Sequence, residues 1–164
     1  ADFGKGLHHD VHGPWNRNEK WEEWTRYWDN DDSLFRSETG VPSASPADIL
    51  RALGGDKILP ANADNPLWRS LSQWWLQWDT YLADGGDAAS LDAFVNWSQE
   101  RQAGALAYAA QACKKRFPAC GGFIVWMGHD AFPCPANTSI IDFHGRQKPA
   151  AVALAKVFKS PLKK

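Results

Sequence analysis

The sequence predicts an α/β fold with parallel strands that is incomplete by itself, and three observations predict it. Short apolar runs, notably 33–37 and 123–127, are separated by long helical segments, the pattern of parallel strands joined by helical crossovers. The second run, Phe123-Ile124-Val125-Trp126-Met127, is continuously apolar between turn residues, as in a strand buried on both faces. The 164 residues hold too few strands to close a sheet, whereas a complete (β/α)8 barrel takes about 250 residues.

Each element has a local reason. Trp21, Trp24 and Trp28 recur at helical spacing and predict a short helix over 19–28. The run Ser33-Leu34-Phe35-Arg36-Ser37 reads as a strand that ends at Glu38-Thr39-Gly40. Ser45 as N-cap, Pro46 at the first helical position and Asp48 two residues on start a helix that Gly54-Gly55 stops. Asn65-Pro66 starts a longer one, 66–83, with Leu67, Leu71, Trp74, Trp75 and Trp78 as its apolar stripe. Ser90 caps a third, 91–116, with a break allowed near Trp97-Ser98. Its stretch 103–112 is small and apolar nearly all round, which suits close packing. Residues 139–143 read as a short strand, and 149–158 as a last helix. All 164 residues read as one segment, without repeats or low-complexity tracts.

Composition excludes several classes of partner. A net charge of -1, from 18 basic and 19 acidic side chains, argues against nucleic acid and against a membrane surface. No apolar stretch approaches the roughly 20 residues of a membrane span. The chain opens Ala1-Asp2-Phe3-Gly4, with neither an initiator Met nor the apolar core of a signal peptide, so its start reads as processed or cut. Cys113, Cys120 and Cys134 form no C-x-x-C pair; they read as buried free thiols, with one disulfide open as the alternative. Ten tryptophans suit either an aromatic core or a sugar site, because pyranose faces stack on aromatic rings.

Four groups of residues carry candidate chemistry. Glu38 directly follows a short strand and precedes a glycine turn, where barrel enzymes place catalytic carboxylates; a solvated loop residue is the plainer alternative. The segment Trp126-Met127-Gly128-His129-Asp130-Ala131-Phe132-Pro133 gathers aromatic and polar groups at the end of the second strand, as a sugar pocket or an aromatic turn. His8-His9-Asp10-Val11-His12 has two histidines four apart, but Gly6 and Gly13-Pro14 argue against a helix there, and no metal is expected. Glu19, Glu22 and Glu23 read as the solvated face of the first helix, and Glu100 as structural.

Three segments together resemble glycoside hydrolase family 2, most closely its β-mannosidase and exo-β-glucosaminidase branch. Phe35-Arg36-Ser37-Glu38-Thr39-Gly40 is similar to the family's nucleophile segment F-x-S-E-x-G on barrel strand seven. Gly121-Gly122-Phe123-Ile124-Val125-Trp126, followed by His129-Asp130-Ala131-Phe132-Pro133, is similar to the strand-eight signature G-G-x-x-x-W with N-D-x-W-P. Ser139-Ile140-Ile141-Asp142-Phe143-His144-Gly145-Arg146-Gln147-Lys148-Pro149-Ala150 resembles the motif S-I-I-D-x-x-G-R-x-K-P-A that ends the barrel. Asp10, His12 and Trp15 resemble the D-x-H-x-W loop after strand six, with Trp15 one residue late. His129 stands where Asn is usual, and Phe132 where Trp is usual.

The resemblance implies the C-terminal portion of a (β/α)8 TIM barrel, about strands six or seven to eight, without the family's flanking β-sandwich domains. It implies a retaining hydrolase of terminal β-glycosidic bonds, β-mannoside-like, with Glu38 as nucleophile. Asp10, His12, Trp15, Trp126, His129 and Asp130 would contact or shape the sugar pocket. No cofactor is implied. The partners implied are a glycoside or oligo- or polysaccharide and the rest of the parent enzyme, with a periplasmic or extracellular setting favoured. The family's acid/base Glu belongs to an N-E pair after strand four. Asn18-Glu19 matches the dipeptide in the wrong place, so the acid/base is expected outside these residues and the isolated chain is expected to be inactive. The rival expectation is a non-catalytic carbohydrate-binding or interaction module with a Trp-rich surface.

Overall fold

The computed structural model describes residues 10–15, 20–69 and 73–162. His8, His9, Asn18 and Glu19 lie outside them, as do residues 70–72 of the helix expected over 66–83. Three strands, β1 (Val11–His12), β2 (Arg36–Thr39) and β4 (Phe123–Val125), form a parallel sheet in the order β1-β2-β4. Val11 lies opposite Arg36, and Arg36 opposite Phe123. The chain between them builds β3 (Ser43–Ala44), which pairs antiparallel with β5 (Ala136–Asn137). The helices are α1 (Trp21–Asp29), α2 (Ala47–Gly54), α3 (Gln73–Leu76), α4 (Trp78–Ala83), α5 (Leu91–Lys115) and α6 (Pro149–Lys159). The molecule is thus mixed α/β with a partial parallel sheet, the fold class the sequence predicts.

Two apolar cores share α5. One gathers Trp24 and Trp28 of α1, Leu106 and Ala109 of α5, and Leu154 of α6. The other gathers Leu50 of α2, Trp68, Trp78 and Tyr81 of α4, and Phe94 of α5. Helix α5 runs unbroken through Trp97-Ser98 and starts at Ser90, whose hydroxyl accepts the Ala93 N–H at 3.2 Å. Its small residues allow the close approach: Ala105, Ala109 and Ala110 are wholly or almost wholly buried. Gln102, also fully buried, ties α5 to the sheet side. Its amide donates to the carbonyls of Val41 (2.8 Å), Thr138 (3.0 Å) and Ser139 (3.1 Å), and its oxygen accepts the Ser43 hydroxyl.

Several local expectations give way to tertiary demands. Ser45 does not cap α2; its hydroxyl donates to the Cys134 carbonyl instead. Strand β2 begins later than expected, so Glu38 lies within it rather than after it. Strand β4 stops at Val125, and Ile124 is 50% exposed, so the strand is not buried on both faces. Phe123 and Val125 pack on the helices while Ile124 points to the other face of the sheet. Residues 139–143 make only bridges, Ile141 with His129 and with Gln147. The helix expected to run to residue 83 is broken at Gln77, which takes a left-handed φ of +54°. Gly122 shows why the β4 lead-in needs glycine: a Cβ there would lie 2.4 Å from the Phe35 ring. All three cysteines are buried free thiols.

Candidate functional site

Glu38 stands on the middle strand of the parallel sheet, near its C-terminal end. Beside it, β1 ends and the chain turns at Gly13, whose φ of +81° suits a residue without Cβ. The turn is pinned on both sides. The Gly13 N–H donates to the Glu38 carbonyl at 2.5 Å, and the Gly40 N–H to the Pro14 carbonyl at 3.1 Å. The Gly13 carbonyl accepts from the Arg36 guanidinium at 2.8 Å and the Thr39 hydroxyl at 3.2 Å. Trp15 is thereby brought over β2, and its indole N–H donates to Glu38 Oε1 at 3.1 Å.

The other carboxylate oxygen faces His12, with Nδ1 3.9 Å from Oε2. His12 Nε2 is in turn 3.3 Å from an Asp10 oxygen. A hydrogen bond from Ser37 and the neighbouring imidazole hold the Asp10 carboxyl below its ordinary value. The Glu38 side chain keeps 28% of its surface exposed, so one face is fixed by protein and another stays open. A carboxylate held in this way can attack an electrophilic carbon or take a proton.

Trp126 follows β4, and its N–H continues the ladder to the Thr39 carbonyl at 2.8 Å. Its own carbonyl accepts the Thr138 hydroxyl at 3.0 Å. The ring meets Trp15 edge-on at 6.2 Å and Trp75 at 6.4 Å, tilted by 36°. Met127, next in sequence, has a φ of +61°. Among the described residues, Met127 and Gln77 are the non-glycine residues with positive φ. Each such position costs about 1–3 kcal/mol and persists only where the surroundings enforce it.

Five of the seven sequence-predicted site residues therefore share one surface: Asp10, His12, Trp15, Glu38 and Trp126. His129 is exposed on the loop that follows. Asp130 differs from an expected pocket contact, because its side chain is 1% exposed and turned inward. One oxygen accepts from Asn137 at 2.8 Å and from the Ser139 hydroxyl at 2.6 Å, which braces the 126–139 loop from beneath. The second oxygen and the Nζ of buried Lys148 have no hydrogen-bond partner among the described residues. Burial pushes Lys148 down to about 8 and Cys134 up to about 11.

Sequence reasoning missed Arg36 and Trp75. Arg36 is 1% exposed, ion-paired with buried Asp31, and lies over the Tyr27 and Trp28 rings. Asp31 also pairs with Arg116, so one buried carboxylate links the segments before β2 and before β4. A basic residue in a short strand was the available signal for Arg36. Trp75 gave none, since its spacing fits a helix stripe. The third motif proves to be a fastening: Arg146 binds Asp142 at 2.6 Å and grips both oxygens of Asp48, at 2.8 and 2.9 Å, joining it to α2. An apolar cavity of about 160 Å³ lies at the start of β4, lined by Cys113, Phe117, Cys120 and Phe123, away from Glu38.

This arrangement of strands and helices has a solved counterpart. The fold is similar to part of the β-D-mannosidase from Dictyoglomus thermophilum. The likeness has a TM-score of 0.68 at 19% identity and covers 91% of this chain. The chain spans 18% of that protein's length. Neither a scan of family models nor a search of curated proteins gave a match.

Proposed function

We propose that this chain is the C-terminal part of the (β/α)8 barrel of a retaining β-glycosidase of the family 2 type, acting on terminal β-mannoside-like bonds, with Glu38 as its nucleophile. The observation that carries the reading is the placement of Glu38. It lies near the C-terminal end of a parallel strand, one oxygen fixed by the Trp15 indole and the rest of the carboxylate open beside Trp126. The similarity in fold to a segment of a β-D-mannosidase supports the same reading.

In this mechanism a Glu38 oxygen attacks the anomeric carbon as the bond to the leaving oxygen breaks. A second carboxylic acid, from outside these residues, protonates that oxygen. The same group then takes a proton from water, which attacks the anomeric carbon and releases Glu38. The Trp15 N–H holds Glu38 in the attacking orientation, and His12 and Asp10 line the hydroxyl side. Trp126 offers the sugar an aromatic wall, and His129 borders the pocket. Asp130 acts from below by holding the loop that carries His129.

The test is covalent trapping in the intact protein with 2-deoxy-2-fluoro-β-mannosyl fluoride, followed by mapping of the modified peptide. The expected label is on Glu38, and a label on another carboxylate overturns the assignment. Glu38→Gln should lower turnover by several orders of magnitude; a loss below tenfold refutes its role as nucleophile.

A further inference from the structure

We propose that Trp75 is a second sugar-stacking platform, which holds the ring on the leaving-group side of the scissile bond, so that the substrate is a glycan whose leaving group is itself a sugar. The proposal rests on the reading of Glu38 as nucleophile. Three indoles run in succession. Trp15 is bonded to Glu38, Trp126 meets Trp15 at 6.2 Å, and Trp75 meets Trp126 at 6.4 Å. A sugar poised over Glu38 lies against Trp126. The ring attached to it extends one platform further, where Trp75 stands. Apolar pyranose faces stack on such rings.

Independent support comes from the backbone. In an unbroken helix Trp75 and Trp78 would lie on the same side; here Trp78 is buried against Tyr81 and Phe94, whereas Trp75 stays half-buried at the edge of that core. The left-handed Gln77 separates them and sends Trp75 to Trp126. Gln77 is 4% exposed, and its side-chain oxygen accepts the Arg101 Nε–H at 2.6 Å, so the conformation is enforced from α5. Among the described residues, the second non-glycine residue with positive φ is Met127, which directly follows Trp126. Strain thus sits beside both members of the pair, as it does at ligand clamps. Trp75 also packs partly against the second core, so its ring is ordered before any ligand arrives, which lowers the entropic cost of binding.

The test compares Trp75→Ala with the intact wild-type protein on two substrates that share the cleaved sugar: a β-linked disaccharide and the corresponding glycosyl fluoride. The expected result is a fall of about tenfold or more in kcat/KM for the disaccharide, with the fluoride changed less than twofold. Equal losses on both substrates, or a loss on neither, overturn the platform while leaving Glu38 in place. A full-length wild-type protein, with the rest of its barrel in place, that turns over neither substrate overturns the glycosidase reading and this inference with it. Should the alanine variant fail to fold, Trp75→Leu keeps apolar bulk against the core without a ring face and carries the same comparison.

Discussion

Replacing Lys148 with methionine should stabilise the protein at neutral pH and lose that advantage in alkali. Lys148 is 2% exposed, its Nζ has no hydrogen-bond partner among the described residues, and burial lowers its pKa from 10.5 to about 8. The unfolded chain keeps the ordinary value, so below about pH 8 folding carries the cost of burying the ammonium. At 1.36 kcal/mol per pKa unit that cost is about 3 kcal/mol. It is relieved between about pH 8 and 10.5, where the unfolded state still binds a proton that the folded state has released. Methionine keeps an unbranched apolar stem without the charge. Asp130 and Asp142 then lose a positive neighbour, which trims the gain to about 1–3 kcal/mol at pH 7. The measurement is urea denaturation of both proteins at pH 7 and pH 10. The methionine advantage should shrink by about 2 kcal/mol between them. The buried thiols act oppositely: Cys134 and Cys113, pushed up to about 11 and about 12, lose stability as pH rises above 9. Cys113 is common to both proteins and cancels in the difference; Cys134, which Lys148 helps to lower, rises further in the variant and stays protonated at pH 10 in both folded proteins, so its loss there is nearly equal. A methionine variant less stable at pH 7, or an advantage unchanged at pH 10, refutes the reasoning.

Two further substitutions test the scaffold under the site. Gln102→Leu removes the amide that serves three carbonyls and strands the Ser43 hydroxyl, and should cost about 2–4 kcal/mol in denaturant unfolding; a neutral result would show that the carbonyls find other partners. Arg36→Met leaves the buried Asp31 paired with Arg116 alone and should cost about 3 kcal/mol, and trapping at Glu38 should slow as the Gly13 carbonyl is left with the Thr39 hydroxyl as its one side-chain donor among the described residues; unchanged stability together with unchanged trapping contradicts this.

The parts of this structure legible in the sequence are those that local chemistry decides. Strand β4 is an apolar run between glycines, α5 begins at Ser90, and α6 begins at Pro149, as their residues dictate. The place of Glu38 by a strand end and a glycine turn was legible, but glutamates beside turns are common, and what singled it out was the likeness of Phe35-Arg36-Ser37-Glu38-Thr39-Gly40 to a nucleophile segment. The gathering of His12, Trp15 and Trp126 around it required only that three parallel strand ends lie side by side. The break at Gln77 was not legible, because an αL residue inside a good helix stripe is enforced by Arg101, twenty-four positions away. Asp130 read as a group that contacts or shapes the sugar pocket, yet the folded chain turns it inward to brace Asn137 and Ser139. Ile124 read as buried because apolar runs cannot report which face of a sheet stays uncovered.

The two cores explain why the candidate site sits where it does. The strand bearing Glu38 lies in the sheet that packs on the first core, with Trp28 and Leu106, while Trp75 packs at the edge of the second, beside Trp78 and Phe94. Trp126 stands between them. The connection is α5, an unbroken rod of 25 residues, about 37 Å long, whose first half builds the second core and whose second half builds the first. Gln102 sits where the two halves meet, and its bonds to Val41, Thr138 and Ser139 fix the strand-end loops against that rod. Arg101, one residue earlier, fixes Gln77 and with it the direction of Trp75. Two consecutive residues of one helix therefore set both the loops around the carboxylate and the aromatic platform beyond it. A helix broken at Trp97-Ser98 would uncouple both residues from Phe94 and the second core, and the unbroken course of α5 is the physical means by which the spacing of the site is kept.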